Sequence, residues 1–202
     1  MPNVPYGSAG RPIQWHDTGA DGGAPQRVKF MNVFFDQGMM SNEENFDAIW
    51  RPDVTVATIV PRDGRFLIVE ETVRDELVLN QPAGHLEAGE SLLDAAVRET
   101  LEETGWSVEL TDLIGAYQWC APDGQKQFLR FTFAATAATY DAARPLDAGI
   151  VRALWLTRDE IAAQRARLRS PMVLGNVDDW LAGVRFPLRA VQSLLEAGTA
   201  TG

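Results

Sequence analysis

Cysteine is almost missing from this chain. Cys120 stands alone, so no internal disulfide is possible. The N-terminus has no basic segment followed by an apolar run of signal length. Together these features suit a reducing cytoplasm, the expected location. Long apolar runs are also absent. The longest fall well short of a membrane span, so no membrane association is expected. Positive charge is scarce, with 18 basic residues against 28 acidic and a net charge of −10. That balance excludes non-specific binding to nucleic acid. It leaves room for a small phosphorylated substrate, because a metal ion can stand between two anions.

What is present is ordinary globular composition. The 202 residues are 46% hydrophobic and 23% charged, which suits one domain with extensions. A core of this size needs no cross-links. Residues 1–45 are rich in Gly, Pro, Asn and Asp and read as a disordered arm. Its apolar run, Val28 to Phe35, is the one stretch able to pack locally. His16 lies in this arm and carries no assigned role. Met39 and Met40 stand just before the first convincing element, so the arm reads as an over-extended gene start. The folded domain is expected over 46–188, with the end of a last helix and a polar tail over 189–202.

Val54–Val60 is β-branched and apolar, a buried strand. Pro61–Gly64 is a turn and Arg65–Glu71 the returning strand. The segment ELVLNQPAG carries a short strand into a Pro/Gly loop. A helix follows Gly89, with Ser91 as N-cap and Asp94 three residues on. Leu93, Ala96, Val97, Thr100, Leu101 and Thr104 form its apolar stripe, and Gly105 closes it. Strands are then expected over WSVEL, LIGAYQWC and QFLRFTFAATA, with APDG as a turn between the last two. Another follows at Arg152–Leu156. Thr157 and Glu160 form a capping box for a helix over TRDEIAAQRARL. Ser170-Pro171 reads as the N-cap and first position of the next helix. A short last helix is expected over PLRAVQSLLEA. This order suggests an α/β fold, a mixed sheet with helices on its faces.

The end of the first helix is the odd feature. Glu99, Glu102 and Glu103 fall within an arc of roughly 100°, away from the Leu93/Val97/Leu101 stripe. Like charges three and four apart destabilise a helix by about 0.2–0.5 kcal/mol per pair. The dipole at the C-terminus adds about 0.3–1 kcal/mol for each. The loop bounded by Pro82, Gly84 and Gly89 returns beside the helix and can offer carbonyls. Carboxylates plus a carbonyl are hard oxygen ligands, suited to Mg²⁺ or Mn²⁺. A solvated acidic face is the plainer alternative, and the dipole argues against it.

The stretch from Gly84 through Glu90, Arg98-Glu99, Glu102-Glu103, Gly105 and Trp106 resembles the Nudix box, G-x5-E-x7-R-E-U-x-E-E-x-G-U, where U is bulky and apolar. Thr100 departs from the pattern at the first U and keeps only a methyl for the core. RPDVTVATIV, NQPAGHLE, FLRFTF and LRSP resemble the bacterial phosphatase NudJ group of the family, over about Arg51 to Leu188. The resemblance implies an α/β/α sandwich with the box as loop–helix–loop. It also implies Mg²⁺, with Mn²⁺ as substitute, and hydrolysis of a small-molecule diphosphate. The expected products include phosphate from nucleoside tri- and diphosphates, and from thiamine diphosphate or its hydroxymethylpyrimidine diphosphate precursor. Glu99, Glu102 and Glu103 are the implied metal ligands, with the Gly84 carbonyl a fourth. Arg98 and Glu90 are expected to pair and orient the glutamates.

Glu102 is the first choice for the group that takes a proton from water. Many relatives carry an acid just before an Ile in the loop to the last strand. Gly149 stands there in this chain, and Asp147 is the nearest acid. Arg130 is a candidate substrate contact, or else an outward arginine in a surface pair. Trp119 is a candidate ring platform, or else core. His85 is a candidate phosphate contact, or else bonds within its loop. The basic run Arg165 to Ser170 is a candidate aid to anionic substrates, or else the solvated end of a helix, where positive charge is stabilising. Two other functions stay open: a pyrophosphatase for ADP-ribose or dinucleoside polyphosphates, and a nucleotide-sensing module without turnover. Either a monomer or a homodimer fits.

Overall fold

The computed structural model describes residues 50–195. The expectations for the arm, for a start near Met40 and for the end of the tail fall outside this range. Strand β1 (Asp53–Ile59) is the second strand of a mixed five-stranded sheet. It pairs antiparallel with β5 (Ala83–His85) on one edge and parallel with β7 (Gln127–Tyr140) on the other. The sheet continues through β6 (Trp106–Cys120) to β9 (Phe186–Pro187). A second, antiparallel sheet is built on β3 (Arg65–Val73). Phe66 faces Pro61 and Leu156, while Val69 faces Asn80 and Ala153. So β2 (Pro61–Arg62) and β4 (Glu76–Asn80) share one edge of β3, and β8 (Ile150–Leu156) holds the other.

Alternation along β1 sets the layers. Val56 packs with Ala95 and Ala96 of helix α1 (Leu92–Thr104), and the Thr58 hydroxyl meets that of Thr100 at 2.8 Å. Ile59 points the other way. It joins Phe66, Ile68 and Leu79 beneath Ile161 of α2 (Arg158–Ala163) and Val173 and Val177 of α3 (Met172–Leu181). The result is the expected α/β/α sandwich with a mixed central sheet.

Several local expectations need correction. The turn after β1 is Asp63-Gly64 alone, because Pro61 and Arg62 already pair with β3. WSVEL and LIGAYQWC are one strand, β6. Bulges near Trp106/Val108, Leu110/Asp112 and Leu113/Gly115 shift its register and break the two-residue period that would have marked a single strand. The second helix stops at Ala163, before a 3₁₀ turn over Arg165–Arg167. The chain there is drawn onto β4, with Leu168 bridging Leu79 and the Arg169 N–H donating to the Leu79 carbonyl at 2.9 Å. The Ser170 side chain does not cap α3, and its hydroxyl is buried without a partner among the described residues. Among the described residues the last helix does not form. Phe186-Pro187 pairs with β6, one 3₁₀ turn covers Leu188–Ala190, and Val191 is extended. Leu188 and Val191 still bury their side chains against the α1 cluster. A segment this short has little helical stability of its own.

Candidate active site

Helix α1 starts and stops as its sequence dictates. Ser91 accepts from the Asp94 N–H at 3.1 Å. Gly105 sits at φ +72°, and a Cβ there would lie 2.9 Å from the Asp141 carbonyl. Only glycine meets both conditions. The expected stripe does face the core: Ala96, Thr100 and Thr104 are buried, and Leu93, Val97 and Leu101 are half-buried. The buried face is wider than expected, since Glu99 and Glu103 are each 8% exposed. Strands β1 and β5 lie over the glutamate side of the helix, so the carboxylates face the protein and not solvent.

Two contacts fix the box loop onto those carboxylates. The Ala83 N–H donates to Glu103 at 2.8 Å. A Cβ on Gly84 would lie 2.1 Å from the Glu99 carboxyl carbon, so any side chain would displace that carboxylate. The glycine of the motif is there for close approach. Gly84 also pairs with Val56 of β1, which anchors the loop to the central sheet.

Arg98 organises the rest. Its Nε and Nη2 donate to the two oxygens of Glu90 at 2.7 and 2.8 Å. Its Nη1 donates to Glu99 at 2.8 Å and to Glu102 at 3.1 Å, and Nη2 also reaches the His85 carbonyl at 3.2 Å. One guanidinium thus holds three box glutamates and the loop. Its bidentate bond holds the Glu90 carboxyl below the usual range.

The structure brings together Glu99, Glu102 and Asp147, with one oxygen of each within 4.8 Å of the others. Asp147 arrives on the loop before β8. Its N–H donates to the Glu102 carbonyl at 3.1 Å, and its carbonyl accepts from the Ile150 N–H at 3.0 Å. Opposite oxygens around one Mg²⁺ lie about 4.2 Å apart, so this all-carboxylate set is close to ligating spacing and suits a hard cation. Gly149 sits at φ +93°, and its carbonyl takes the Thr72 N–H at 2.8 Å. Backbone pairing uses that position, and the acid stands two residues earlier.

Glu103 lies outside this trio but faces the same cleft, a space of about 310 Å³. Thr55, Glu71, Asn80, Glu99 and Arg130 also line it. Burial raises the Glu99 carboxyl and pushes Glu103 up to about 8. Burial favours the neutral form of both groups, and a nearby cation would favour the charged form. Arg130 is not the outward surface arginine of the alternative reading. It is 6% exposed, reaches Thr55 and Asn80 at 3.4 Å each, and is lowered to about 10 by burial. Trp119 is half-buried, stacked on Phe128 with centroids 5.4 Å apart. His85 is exposed, 3.8 Å from Asp53, and also lines the cleft.

Sequence reasoning missed Glu71 and Asn80, which share this cleft with Arg169 of the basic run. The adjacent pair Glu70-Glu71 was the available signal, since neighbours on a strand point to opposite faces. Glu70 is buried against Arg152 at 2.8 Å and Arg167 at 2.5 Å, while Glu71 accepts from Asn80 at 3.2 Å inside the cleft. Arg165 to Ser170 is therefore no free solvated end: Arg167 holds Glu70, and Arg169 lies 3.9 Å from Glu71.

A NUDIX domain profile matches residues 50–174. The chain is 43% identical to Phosphatase NudJ of Escherichia coli K12 over 143 residues, 71% of this chain and 92% of that protein. It is similar to a solved NUDIX hydrolase from Nitrosomonas europaea at 44% identity and TM-score 0.71, covering 73% of this chain and all of that one. The MutT protein from Methanosarcina mazei Go1 shares the fold at 18% identity and TM-score 0.55, covering 67% and 99% of the two chains.

Proposed function

This chain belongs to the Nudix family and is a Nudix hydrolase, and on that premise we propose that it uses Mg²⁺ or Mn²⁺ to release phosphate from a small organic di- or triphosphate. One observation carries the reading. Three carboxylates from two distant segments converge beside a cleft that holds a buried arginine. Glu99, Glu102 and Asp147 would hold the cation, with Glu103 and the Gly84 carbonyl at the cleft wall. When bound, the cation supplies neutralisation of the phosphate charge and acidifies a water.

The chain's own groups do the remaining work. Glu102 takes the proton from the attacking water, since it is less buried than Glu99 and Glu103. Arg98, oriented by Glu90, keeps Glu99 and Glu102 apart and aimed. Arg130 balances charge at the cleft floor, and His85 stands at its rim. The NudJ relatives, named phosphatases, favour nucleoside di- and triphosphates and thiamine diphosphate as the first substrates to try. Release of orthophosphate from these, abolished by EDTA and restored by Mg²⁺, is the expected result. Asp147→Asn should lower kcat about 100-fold without changing the fold. Pyrophosphate or a nucleoside monophosphate as the first product would favour the ADP-ribose or dinucleoside polyphosphate reading. Turnover unaffected by EDTA would end the proposal.

A further inference from the structure

Arg144 stands on the far side of the carboxylate trio from the acidic cleft. Glu99 belongs both to the cleft wall and to the trio, whereas Glu102 and Asp147 belong to the trio and do not line the cleft. Arg144 lies beside Glu102, with Nη2 3.9 Å from Oε1, and it too is absent from the cleft wall.

The loop between β7 and β8 holds it there. The Asp141 N–H donates to the Gly105 carbonyl at 2.9 Å, and the Asp147 N–H to the Glu102 carbonyl at 3.1 Å. Arg144 sits midway between these two anchors on the end of α1, and Pro145 narrows its backbone choices. Main chain thus fixes the position, while the guanidinium is left open. Its Nε is buried with no hydrogen-bond partner among the described residues. Its Nη2 is too far from Glu102 for a hydrogen bond. The other oxygen of Glu102 already accepts from Arg98 at 3.1 Å. A buried donor left unpaired is costly. A guanidinium fork fits the oxygens of a phosphate as well as those of a carboxylate.

We propose that Arg144 binds the terminal phosphate of the substrate, the one released as orthophosphate. The assignment rests on the hydrolase reading and adds the residue that selects a chain of at least two phosphates. The body of the substrate lies in the cleft, the cation-holding carboxylates come next, and Arg144 comes last. A phosphate must pass the trio to reach it, and a monophosphate seated in the same way falls short.

Arg144→Ala in the full chain tests it, with Arg144→Gln as a second variant that keeps the length of the stem. The loop is anchored through its main chain, so the melting temperature should stay within about 2 °C. Calorimetry in Mg²⁺ with α,β-methylene adenosine diphosphate, whose bridge resists hydrolysis, should show affinity lowered about tenfold. Affinity for adenosine monophosphate should stay within about twofold. Mg²⁺ titrated alone should bind as tightly as before or more tightly, because a positive charge beside Glu102 has gone. Unchanged affinity for the methylene diphosphate would overturn the assignment, and so would its failure to bind the wild-type protein. Equal weakening toward the monophosphate would overturn the place given to Arg144. Weaker binding of Mg²⁺ alone would make Arg144 a positioning residue for Glu102 and overturn the phosphate contact. None of these readouts needs turnover. A wild-type protein that binds the methylene diphosphate through Arg144, yet releases no orthophosphate from adenosine diphosphate, would end the hydrolase reading and leave the phosphate contact standing.

Discussion

Glu103→Gln is expected to stabilise the metal-free protein at pH 8 and at the same time abolish its Mg²⁺-dependent hydrolysis. The two effects have one cause. Glu103 is 8% exposed, and burial pushes its carboxyl up to about 8. Between its ordinary value near 4.5 and about 8, the folded state holds a proton that the unfolded chain has released. Stability from this group is therefore complete at low pH and falls as pH rises through that window. Each pH unit costs about 1.4 kcal/mol, so the group costs a few kcal/mol by pH 8. Glutamine keeps an acceptor for the Ala83 N–H, now 2.8 Å from the carboxylate, and removes the charge. Thermal melts in EDTA at pH 5 and pH 8 measure the gain. It should appear at pH 8 and nearly vanish at pH 5. A variant no more stable at pH 8, or one that still turns over, would break the assignment.

Arg98→Lys should be far from conservative. A lysine offers one compact charge where the guanidinium makes a bidentate bond to Glu90 and separate bonds to Glu99, Glu102 and the His85 carbonyl. The Arg98 side chain is 25% exposed, so solvent softens the loss. About 1–2 kcal/mol of stability is expected to go. Loss of orientation around a metal ligand typically weakens binding 10–100-fold, and a matching rise in the Mg²⁺ concentration for half-maximal activity is expected. Chemical denaturation and a metal titration of turnover read the two effects separately. Full activity at ordinary Mg²⁺ would show that the network does not position the carboxylates.

The helix of the site could be read closely because its signals are local. Ser91, Gly105 and the spacing of Glu99, Glu102 and Glu103 lie within one short stretch. Which face that helix buries is not a local property. The expected stripe faces the core through Ala96, Thr100 and Thr104, yet β5 covers Glu99 and Glu103 as well. A dipole penalty at three carboxylates was the hint that something outside the helix holds them. Asp147 joins Glu99 and Glu102 through backbone bonds of a loop more than forty residues away. Its carboxylate was visible in the sequence, but the fold of that loop was not. Arg130 was ambiguous because a strand arginine can face either side. Its neighbours Thr55 and Asn80 come from β1 and β4, whose pairing only the assembled sheets reveal. The long strand β6 was hidden for a different reason, since three bulges reset its alternation.

The most direct test of the central claim is occupancy of the carboxylate trio by a hard cation. Mn²⁺ titrated into the full chain and followed by electron paramagnetic resonance, with and without a nucleoside diphosphate, measures it. The account predicts bound Mn²⁺ in the wild-type protein, displaced by Mg²⁺ and not by Na⁺, and lost when Glu99 and Glu102 are both changed to glutamine. A wild-type spectrum of free Mn²⁺ alone, even with the diphosphate present, would contradict it.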